Sequence, residues 1–396
     1  MNHKQAIARR IDQHRDTLTR VSTQIHDEPE LGHQEHKASR LLVKHLKQHG
    51  YATKLGVAGM PTAFTATLKG RGSGPHIGIL AEYDALPVIG HACGHNLIAT
   101  AALGAAIGLT AATSELDGTV TVYGTPAEEG VVQNAGGKVI MLDTIAETDA
   151  ALMIHPGPEW GGYGTTNARE SFLVEFHGRS SHAGAAPEKA VNALEGVLLT
   201  FQGINALRQH IPSDVRIHGI IKHGGDSPNT IPDHASAHLY VRAPTMPRLE
   251  ENYAKVKNIV KGAELATGAR SSITQIANTY ANRLPNKTLS DLFRQNIAIE
   301  GVEYPEDTEP RRSGASTDFG NVSQLMPALS AYVNIGDVVL HSPDGAEMTA
   351  TPKAHEATLK AAKALAYTAH DLITRPELLQ KAKEEHKAWL ERQTGS

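Results

Sequence analysis

The feature that most constrains the fold is a change in the order of strands and helices near residue 169. Before it, apolar β-rich runs alternate with helical patterns, which is typical of a layered α/β domain. Residues 169–281 instead give the order β-α-β-β-α-β, the split βαβ arrangement of a small ferredoxin-like domain. The alternation then returns. This order predicts one α/β domain, made from residues 1–168 and 282–396, with the second domain inserted in a surface loop.

The spacing of apolar residues predicts the individual elements. Helical patterns fill the first 50 residues, and a helix rich in alanine is expected at 97–112. The first β-rich runs are 63–68, 76–81, 118–123 and 150–154. The inserted part has strands at 171–176, 215–221, 235–241 and 272–277 and helices at 188–209 and 248–267. The charged segment 376–396 reads as a solvated surface helix with few apolar anchors.

Composition excludes several classes of protein. The 38 Lys and Arg residues nearly balance 42 Asp and Glu residues, so a broad basic surface for nucleic acid is not expected. One cysteine excludes a disulfide framework. The apolar run 97–112 is shorter than the roughly 18 residues of a membrane span. Because the N-terminus lacks the apolar stretch of a signal peptide, we expect a cytoplasmic protein with no membrane partner.

The first group of chemically active side chains lies in the segment AEYDALPVIGHACGHN, where Cys93 and His95 are two residues apart. Thiolate and imidazole are both good ligands for zinc and similar metals. On an extended segment, side chains two residues apart point the same way. Asn96 is placed to cap the following helix. The alternative is a buried free cysteine beside core histidines.

Further candidates follow apolar strands elsewhere in the chain. Glu128 and Glu129 come after the strand at 118–123, His155 follows the run ALMI, and His341 follows VVL. Active sites of open α/β sheets form at the carboxyl ends of strands, so these side chains are expected to meet. One acid could then hold a metal while its neighbour moves a proton. Taken alone, the glutamate pair could equally be a solvated loop.

In order and spacing, the motifs GHACGHN and PAEEG resemble those of the di-metal amidohydrolases that include aminoacylase, glutamate carboxypeptidase and succinyl-diaminopimelate desuccinylase. The chain is most similar to the branch of auxin-conjugate hydrolases and bacterial aminobenzoyl-glutamate hydrolase. The resemblance covers nearly the whole chain and implies a zinc-peptidase-like catalytic domain with an inserted lid and dimerisation domain, hence a homodimer. It implies Glu128 as the general base. The implied ligands of two metal ions are Cys93, His95, Glu129, His155 and His341.

The inserted domain carries further matches to this family. His182, in SSHAGAAP, resembles the lid histidine that reaches the active site of the partner subunit, where it would steady the oxyanion. Asn229, in SPNTIP, matches a substrate-contacting asparagine. Arg242, in LYVRAP, is a candidate for gripping a substrate carboxylate, and a structural salt bridge is the alternative. The loop GASTDF, which contains Asp318, matches a family loop near the site but is given no role.

The chain also departs from the family pattern. Many relatives carry a His-x-Asp metal motif where this chain has Glu82-Tyr83-Asp84, so we expect Asp84 to orient a metal ligand. Much of the auxin-conjugate branch has Asp where this chain has Asn96. Zinc, manganese and cobalt therefore all stay open as the metal, as does the stoichiometry.

Together these residues predict a metal-dependent amidohydrolase acting on an N-acyl amino acid, an aminoacyl conjugate or a dipeptide. A metal-activated water would attack the amide, with Glu128 accepting its proton. Three alternatives remain at this point. They are a hydrolase of the same fold acting on an ester or carbamoyl bond, a non-catalytic metal-binding relative, and a cysteine hydrolase with Cys93 as nucleophile and His95 or His91 as base.

Overall fold

The computed structural model describes residues 3–304 and 306–394. The chain forms two compact units. Unit 1 comprises Met1–Thr165, Arg283–Ser313 and Thr317–Ser396, and unit 2 comprises Thr166–Asn282 with Gly314–Ser316. The expected fold class, a layered α/β domain with an inserted ferredoxin-like domain, is confirmed.

Strands and helices alternate in the first part of the chain as the apolar spacing predicts. The strands are β1 (Ala52–Leu55), β2 (Phe64–Lys69), β3 (His76–Ala81), β4 (Thr119–Gly124), β5 (Ala150–Gly157), β6 (Gly164–Thr165), β7 (Ala168–His177), β8 (Arg216–His223), β9 (His234–Ala243), β10 (Arg270–Gln275), β11 (Arg311–Arg312) and β12 (Ala328–Asn334). The helices are α1 (His3–Gln13), α2 (Arg15–Asp27), α3 (His36–Gln48), α4 (His95–Leu109), α5 (Gly137–Ile140), α6 (Leu142–Ile145), α7 (Ala193–Leu207), α8 (Met246–Thr267), α9 (Lys287–Ala298), α10 (Phe319–Leu325), α11 (Pro343–Met348), α12 (Pro352–Thr374) and α13 (Pro376–Thr394).

The main sheet of unit 1 has the order β1-β2-β4-β3-β5-β12. Strands β4, β3, β5 and β12 are parallel to one another, whereas β1 and β2 pair antiparallel at one edge. The carboxyl ends of the four parallel strands therefore meet on one side of the sheet. Such an edge is where open α/β sheets hold their functional groups.

Helix α4 is the central helix of unit 1, and all of its residues are buried. It contacts β3, β4 and β5 and packs against α12, and its alanine and glycine residues allow the close approach. An added Cβ at Gly104 would lie 3.0 Å from the Cβ of Ala362 on α12. Among the described residues, the helical stretch His95–Ser114 has the length and composition of a membrane span, yet it is mostly buried inside the protein, as core helices are.

Unit 2 consists of an antiparallel sheet of order β10-β7-β9-β8 with α7 and α8 packed on one face. Alternation along β9 buries Ala235, Ala237, Leu239, Val241 and Ala243 against the helices. The intervening residues of β9 point to the opposite face, which we call the outer face. They are His234, Ser236, His238, Tyr240 and Arg242.

Several local predictions are wrong. Strand β12 ends at Asn334, so His341 does not follow a strand directly but lies in the loop before α11. Cys93 and His95 do not share an extended segment, because α4 begins at His95. Asn96 lies inside α4, and its amide donates to Ser22 Oγ and the Thr349 carbonyl instead of capping the helix. These errors have one cause, since the spacing of apolar residues in strands does not show where a loop or a helix begins.

The C-terminal helix α13 also differs from expectation, since it is anchored to unit 1. Leu379 and Ala382 are buried. The Ala382 carbonyl accepts from Asn286, and the Glu385 carboxylate accepts from the backbone of Lys287 at the start of α9. Polar groups of α13 thus cap the start of α9. The many charged residues of α13 had instead indicated a helix exposed to solvent.

Candidate active site

The candidate site lies at the carboxyl edge of the parallel strands of unit 1. Glu128 and Glu129 lie in the loop after β4, and His155 lies within β5, two residues from its end. Cys93 lies in the turn that leads into α4, and His95 is the first residue of that helix. Residues distant in sequence thus reach one place because the strands that precede them are parallel and adjacent.

The five expected ligands converge in overlapping groups. Cys93 Sγ lies 3.5 Å from His155 Nε2, and His95 Nε2 lies 3.8 Å from Glu129 Oε1. The other Glu129 oxygen, Oε2, is 3.6 Å from His341 Nε2. One donor atom each from Cys93, His95 and His155 lie within 4.8 Å of one another, as do those from Cys93, Glu129 and His341. Cys93 therefore belongs to both groups.

Neighbouring oxygens fix how the two buried imidazoles present their nitrogens. Asp84 Oδ1 is 2.9 Å from His95 Nδ1, and the carbonyl of Pro156 is 2.8 Å from Nδ1 of His155. Each Nδ1 is therefore the protonated nitrogen, which leaves Nε2 of both rings free to bind a metal. Asp84 also accepts from the Glu129 backbone N–H through Oδ2, at 3.1 Å. One carboxylate thus orients two of the expected ligands.

Left-handed backbone conformations shape this edge. Gly94, between Cys93 and His95, has φ +81°, and an added Cβ there would lie 2.5 Å from Cγ of Pro156. Ala127 and His341 adopt φ of 57° and 61° although they carry side chains. Such residues persist only where their surroundings hold them, and they cluster at functional sites.

A buried carboxylate, that of Glu35, holds Ala127 in this conformation. Its Oε1 accepts from the Ala127 N–H at 2.8 Å, and its Oε2 accepts from Thr62 Oγ1 at 2.9 Å. Burial, followed by the charge of Asp84, raises the pKa of Glu35 to about 8. Glu35 is not recognisable from the sequence, since nothing in its local pattern separates it from a surface acid.

The donor set fits divalent metal ions. Within the described residues, the buried atoms His95 Nε2 and Glu129 Oε1 have no hydrogen-bond partner. Burial, with Asp84 and Glu82 nearby, raises the pKa of Glu129 to about 7 despite the opposing effect of His95. A cation stabilises an unpaired imidazole nitrogen and closely spaced carboxylates of this kind, because it accepts their lone pairs and offsets the negative charge. Imidazole, thiolate and carboxylate together suit zinc and its neighbours in the first row.

The environment of Cys93 disfavours a cysteine nucleophile. Burial, followed by the charge of Glu129, raises the pKa of its thiol far above the usual range. Reactive cysteines need the opposite, a depressed pKa in an electropositive and accessible setting. Without a metal, Cys93 is therefore a protonated, inert thiol.

Glu128 is buried beside a second cluster of charges. Burial, followed by the charges of Glu82 and Asp318, raises the pKa of its carboxyl well above the usual range. Lys138, which is fully buried, lies between these two acids: its Nζ is 2.6 Å from Glu82 Oε1 and 2.5 Å from Asp318 Oδ1. We call Glu82, Lys138 and Asp318 the buried ion cluster. Sequence reasoning gave these three residues no role, although two of them lie in motifs already singled out.

Two of the expected lid residues lie together in unit 2. The backbone N–H of Ala183, next to His182, donates to the Asn229 carbonyl at 2.9 Å. Both side chains are exposed. Nδ1 of His182 accepts from the Gly184 N–H at 3.2 Å, which leaves Nε2 as the protonated, donating nitrogen. This is the tautomer that can donate to an oxyanion.

Arg242 lies at the other end of the same sheet, in an arginine pair. Its cross-strand partner is Arg169, at the start of β7, whereas His182 follows the end of β7. Arg242 donates from Nη1 to Ser316 Oγ at 2.9 Å and has no salt bridge among the described residues. The salt-bridge alternative for Arg242 therefore has no support in the structure.

Arg169 is a candidate that the sequence analysis missed. Its side chain is only 4% exposed, and Nε and Nη2 have no hydrogen-bond partner within the described chain. The guanidinium stacks on Tyr280, 3.9 Å from the ring centroid. Like charges directly opposite in a sheet are destabilising, and a buried charge without a counterion is costly. This arginine pair therefore has the character of an anion site.

Comparison with known proteins places these observations in a family. A family model for the peptidase dimerisation domain matches residues 169–267. The Xaa-Arg dipeptidase of Mus musculus is 38% identical, and the alignment covers 98% of this chain and 93% of the mouse protein. A p-aminobenzoyl-glutamate hydrolase chain from Escherichia coli is 30% identical, with 95% of this chain and 93% of that protein covered.

A solved structure supports the fold. A dinuclear metal-binding peptidase of the M20 family from Bacillus subtilis superposes with a TM-score of 0.68 at 20% identity. The superposition covers 92% of this chain and 99% of the Bacillus chain. Both units of the fold therefore have counterparts in that protein.

Proposed function

This chain belongs to the M20 peptidase family and is a hydrolase of amide bonds, and we propose that it cleaves dipeptides or N-acyl amino acids that carry a free carboxylate. The observation that supports this best is the meeting of Cys93, His95, Glu129, His155 and His341 beside the buried Glu128. Non-catalytic metal binding would not require an acid with a raised pKa next to the ligands.

In this proposal, the five expected ligands would hold two divalent ions, zinc or manganese with cobalt as a further option, which when bound would supply an activated water and a polarised amide carbonyl. Glu128 accepts the proton of the attacking water and passes it to the departing amine. Its position suits this role, since one carboxylate oxygen of Glu128 lies within 4.8 Å of donor atoms of His95 and Glu129, two of the expected ligands. Asp84 keeps the His95 ring in the ligating tautomer.

We assign further functional residues to unit 2. We assign His182 to the oxyanion of the partner subunit in a homodimer, supported by its donating Nε2 and by the match to a dimerisation domain. Removing one such donor typically lowers kcat by about 10²–10³-fold. Asn229 contacts the substrate from the adjoining loop.

The arginine pair Arg169 and Arg242 binds the carboxylate of the substrate. A carboxylate would satisfy the orphaned guanidinium atoms of Arg169 and remove the repulsion between the two side chains. The relatives support this class of substrate, since their names describe a dipeptidase and a hydrolase of an acylated glutamate.

The central experiment is Glu128→Gln, which keeps the shape of the side chain and removes the base. We expect turnover of a dipeptide or acyl amino acid to fall by about 10²–10⁴-fold while metal content, measured by elemental analysis, stays unchanged. Full activity with metal bound would show that Glu128 is not the base.

Arg169→Gln should raise KM for the acid substrate far more than for its carboxamide analogue, and an equal effect on both would contradict carboxylate binding.

A further inference from the structure

A second cluster of metal-binding side chains lies in unit 2, on the outer face of its sheet. Glu175 and His177 are on β7, and His234 is on β9. His223, at the end of β8, adds a third histidine from a neighbouring strand. None of these residues belongs to the candidate active site.

The cluster is tightly grouped. His234 Nε2 lies 3.1 Å from Glu175 Oε1. One donor atom each from Glu175, His177 and His234 lie within 4.8 Å of one another. The ring of His234 is stacked between the other two imidazoles, with centroid distances of 5.0 Å to His177 and 5.2 Å to His223.

Strand pairing sets this grouping, so it does not depend on chance side-chain positions. His177 and His234 are direct cross-strand partners in the register of β7 and β9. Glu175 lies two residues before His177 and therefore points to the same face. Opposed Cβ atoms in such a pair are about 4.5–5.5 Å apart, so small rotations bring both imidazoles to one ion.

We propose that Glu175, His177 and His234 form a second metal site, selective for a late first-row divalent cation such as Zn²⁺, Ni²⁺ or Cu²⁺. Two imidazoles and one carboxylate are a donor set for these ions and not for Mg²⁺ or Ca²⁺, which prefer oxygen ligands. Three protein ligands and one water complete a tetrahedral zinc site. His223 stacks on His234, with 5.2 Å between the ring centroids, and so places a third imidazole next to the three ligands.

The charges around the cluster set the limits of its affinity. Glu175 supplies one negative charge, and Arg270, the partner of His177 on β10, supplies one positive charge on the other side. The site is partly exposed, so its ligands are only partly desolvated. We therefore assign it a weaker affinity than that of the buried ligands in unit 1, and a bound ion would cross-link β7 to β9.

The test measures zinc bound per chain by equilibrium dialysis and elemental analysis on the full-length protein. Wild-type protein is expected to hold one equivalent more than the double variant His177→Ala/His234→Ala. His210→Ala, which removes an exposed histidine elsewhere in unit 2, should lose none. Circular dichroism of each variant establishes that it is folded, and Glu175→Gln, which preserves shape, should weaken the extra equivalent at least tenfold.

Electron paramagnetic resonance of bound Cu²⁺ identifies the ligands. Cu²⁺ added as one equivalent to zinc-loaded protein should give an electron paramagnetic resonance signal with hyperfine structure from imidazole nitrogen, absent in the double variant. If wild-type and double variant bind equal zinc and give the same copper signal, the proposal is wrong. Loss of the extra equivalent in His210→Ala as well would also overturn it, because the binding would then not be specific to the cluster. Activity of the unit 1 site is not a readout, so failure here leaves the proposed amidohydrolase function untouched.

Discussion

Replacing Lys138 by methionine tests the buried ion cluster most directly. The side chains of Lys138, Glu82 and Asp318 are 0%, 1% and 0% exposed, so no water can take over the role of the ammonium group. Removing one partner of a buried ion pair typically costs about 3–5 kcal/mol. Because one lysine here serves two carboxylates, with Glu128 nearby as a third acid, we expect a loss near the upper end of that range.

The chain offers a matched control in Lys287. Its Nζ also contacts two carboxylates, Asp291 at 2.8 Å and Glu306 at 2.8 Å, but its side chain is 31% exposed. Exposed pairs contribute about 0–1 kcal/mol, so Lys287→Met should change the free energy of unfolding by no more than that. The two variants remove the same charge from the same number of contacts and differ in burial.

Urea unfolding followed by tryptophan fluorescence measures both losses. The only two tryptophans of the sequence, Trp160 and Trp389, lie in unit 1, the unit that contains both lysines. Burial already raises the pKa of Asp318 to about 6, although Lys138 opposes it. Without Lys138 that pKa rises further, so protonation should make the loss smaller at pH 5 than at pH 7. Equal losses in the two variants, or a larger loss at pH 5, would refute the reasoning.

Three further predictions follow from single features. Chelation by EDTA should abolish hydrolysis, and Zn²⁺ or Mn²⁺ should restore it, whereas activity that survives chelation would favour Cys93 as a nucleophile. Gly94→Ala should lower both metal content and thermal stability, since the added Cβ meets Pro156. The control Gly50→Ala, at φ +86° with open space around it, should cost only the backbone strain of a left-handed alanine, about 1–2 kcal/mol. Asp371→Asn should cost more at pH 7 than at pH 3.5. Burial raises the pKa of Asp371, but the His370 ring and hydrogen bonds from Lys4 and Asn296 outweigh burial, so the pKa is lowered. The stabilisation that the Asp371 carboxylate provides is therefore lost as the pH falls. A cost in urea unfolding that does not change with pH would contradict this.

The fold was predictable where the periodicity of apolar residues was strong. Strand 235–241 of unit 2 was expected and is His234–Ala243, because alternation continues to both ends of the strand. The helix expected at 188–209 begins only at Ala193, since a short 3-10 turn at Pro187–Lys189 precedes it and Asn192 caps α7. Boundaries thus depended on turn and cap geometry that composition does not reveal.

The sequence predicted which ligand and base residues the candidate site contains. It did not predict the buried residues that contact them or lie around them. The family motifs named the residues that meet at the edge of the sheet, and the rule of strand ends says why they meet. Glu35 and Lys138 escaped because each acts through a contact with a residue distant in sequence, Ala127 and Asp318 respectively. Arg169 escaped because its orphaned guanidinium is visible only when burial and partners are known together.

The position of two expected ligands at the start of α4 has a consequence for metal exchange in the proposed site. Cys93, in the turn before α4, and His95, the first residue of α4, are both buried, and all residues of this helix are buried. His341, in contrast, has a side chain that is 53% exposed on a loop. In the proposed metal centre, we therefore expect an ion to exchange by opening at His341 while the ligands beside α4 stay in place. The rate of metal loss should follow the motion of that loop and not the global stability of the protein.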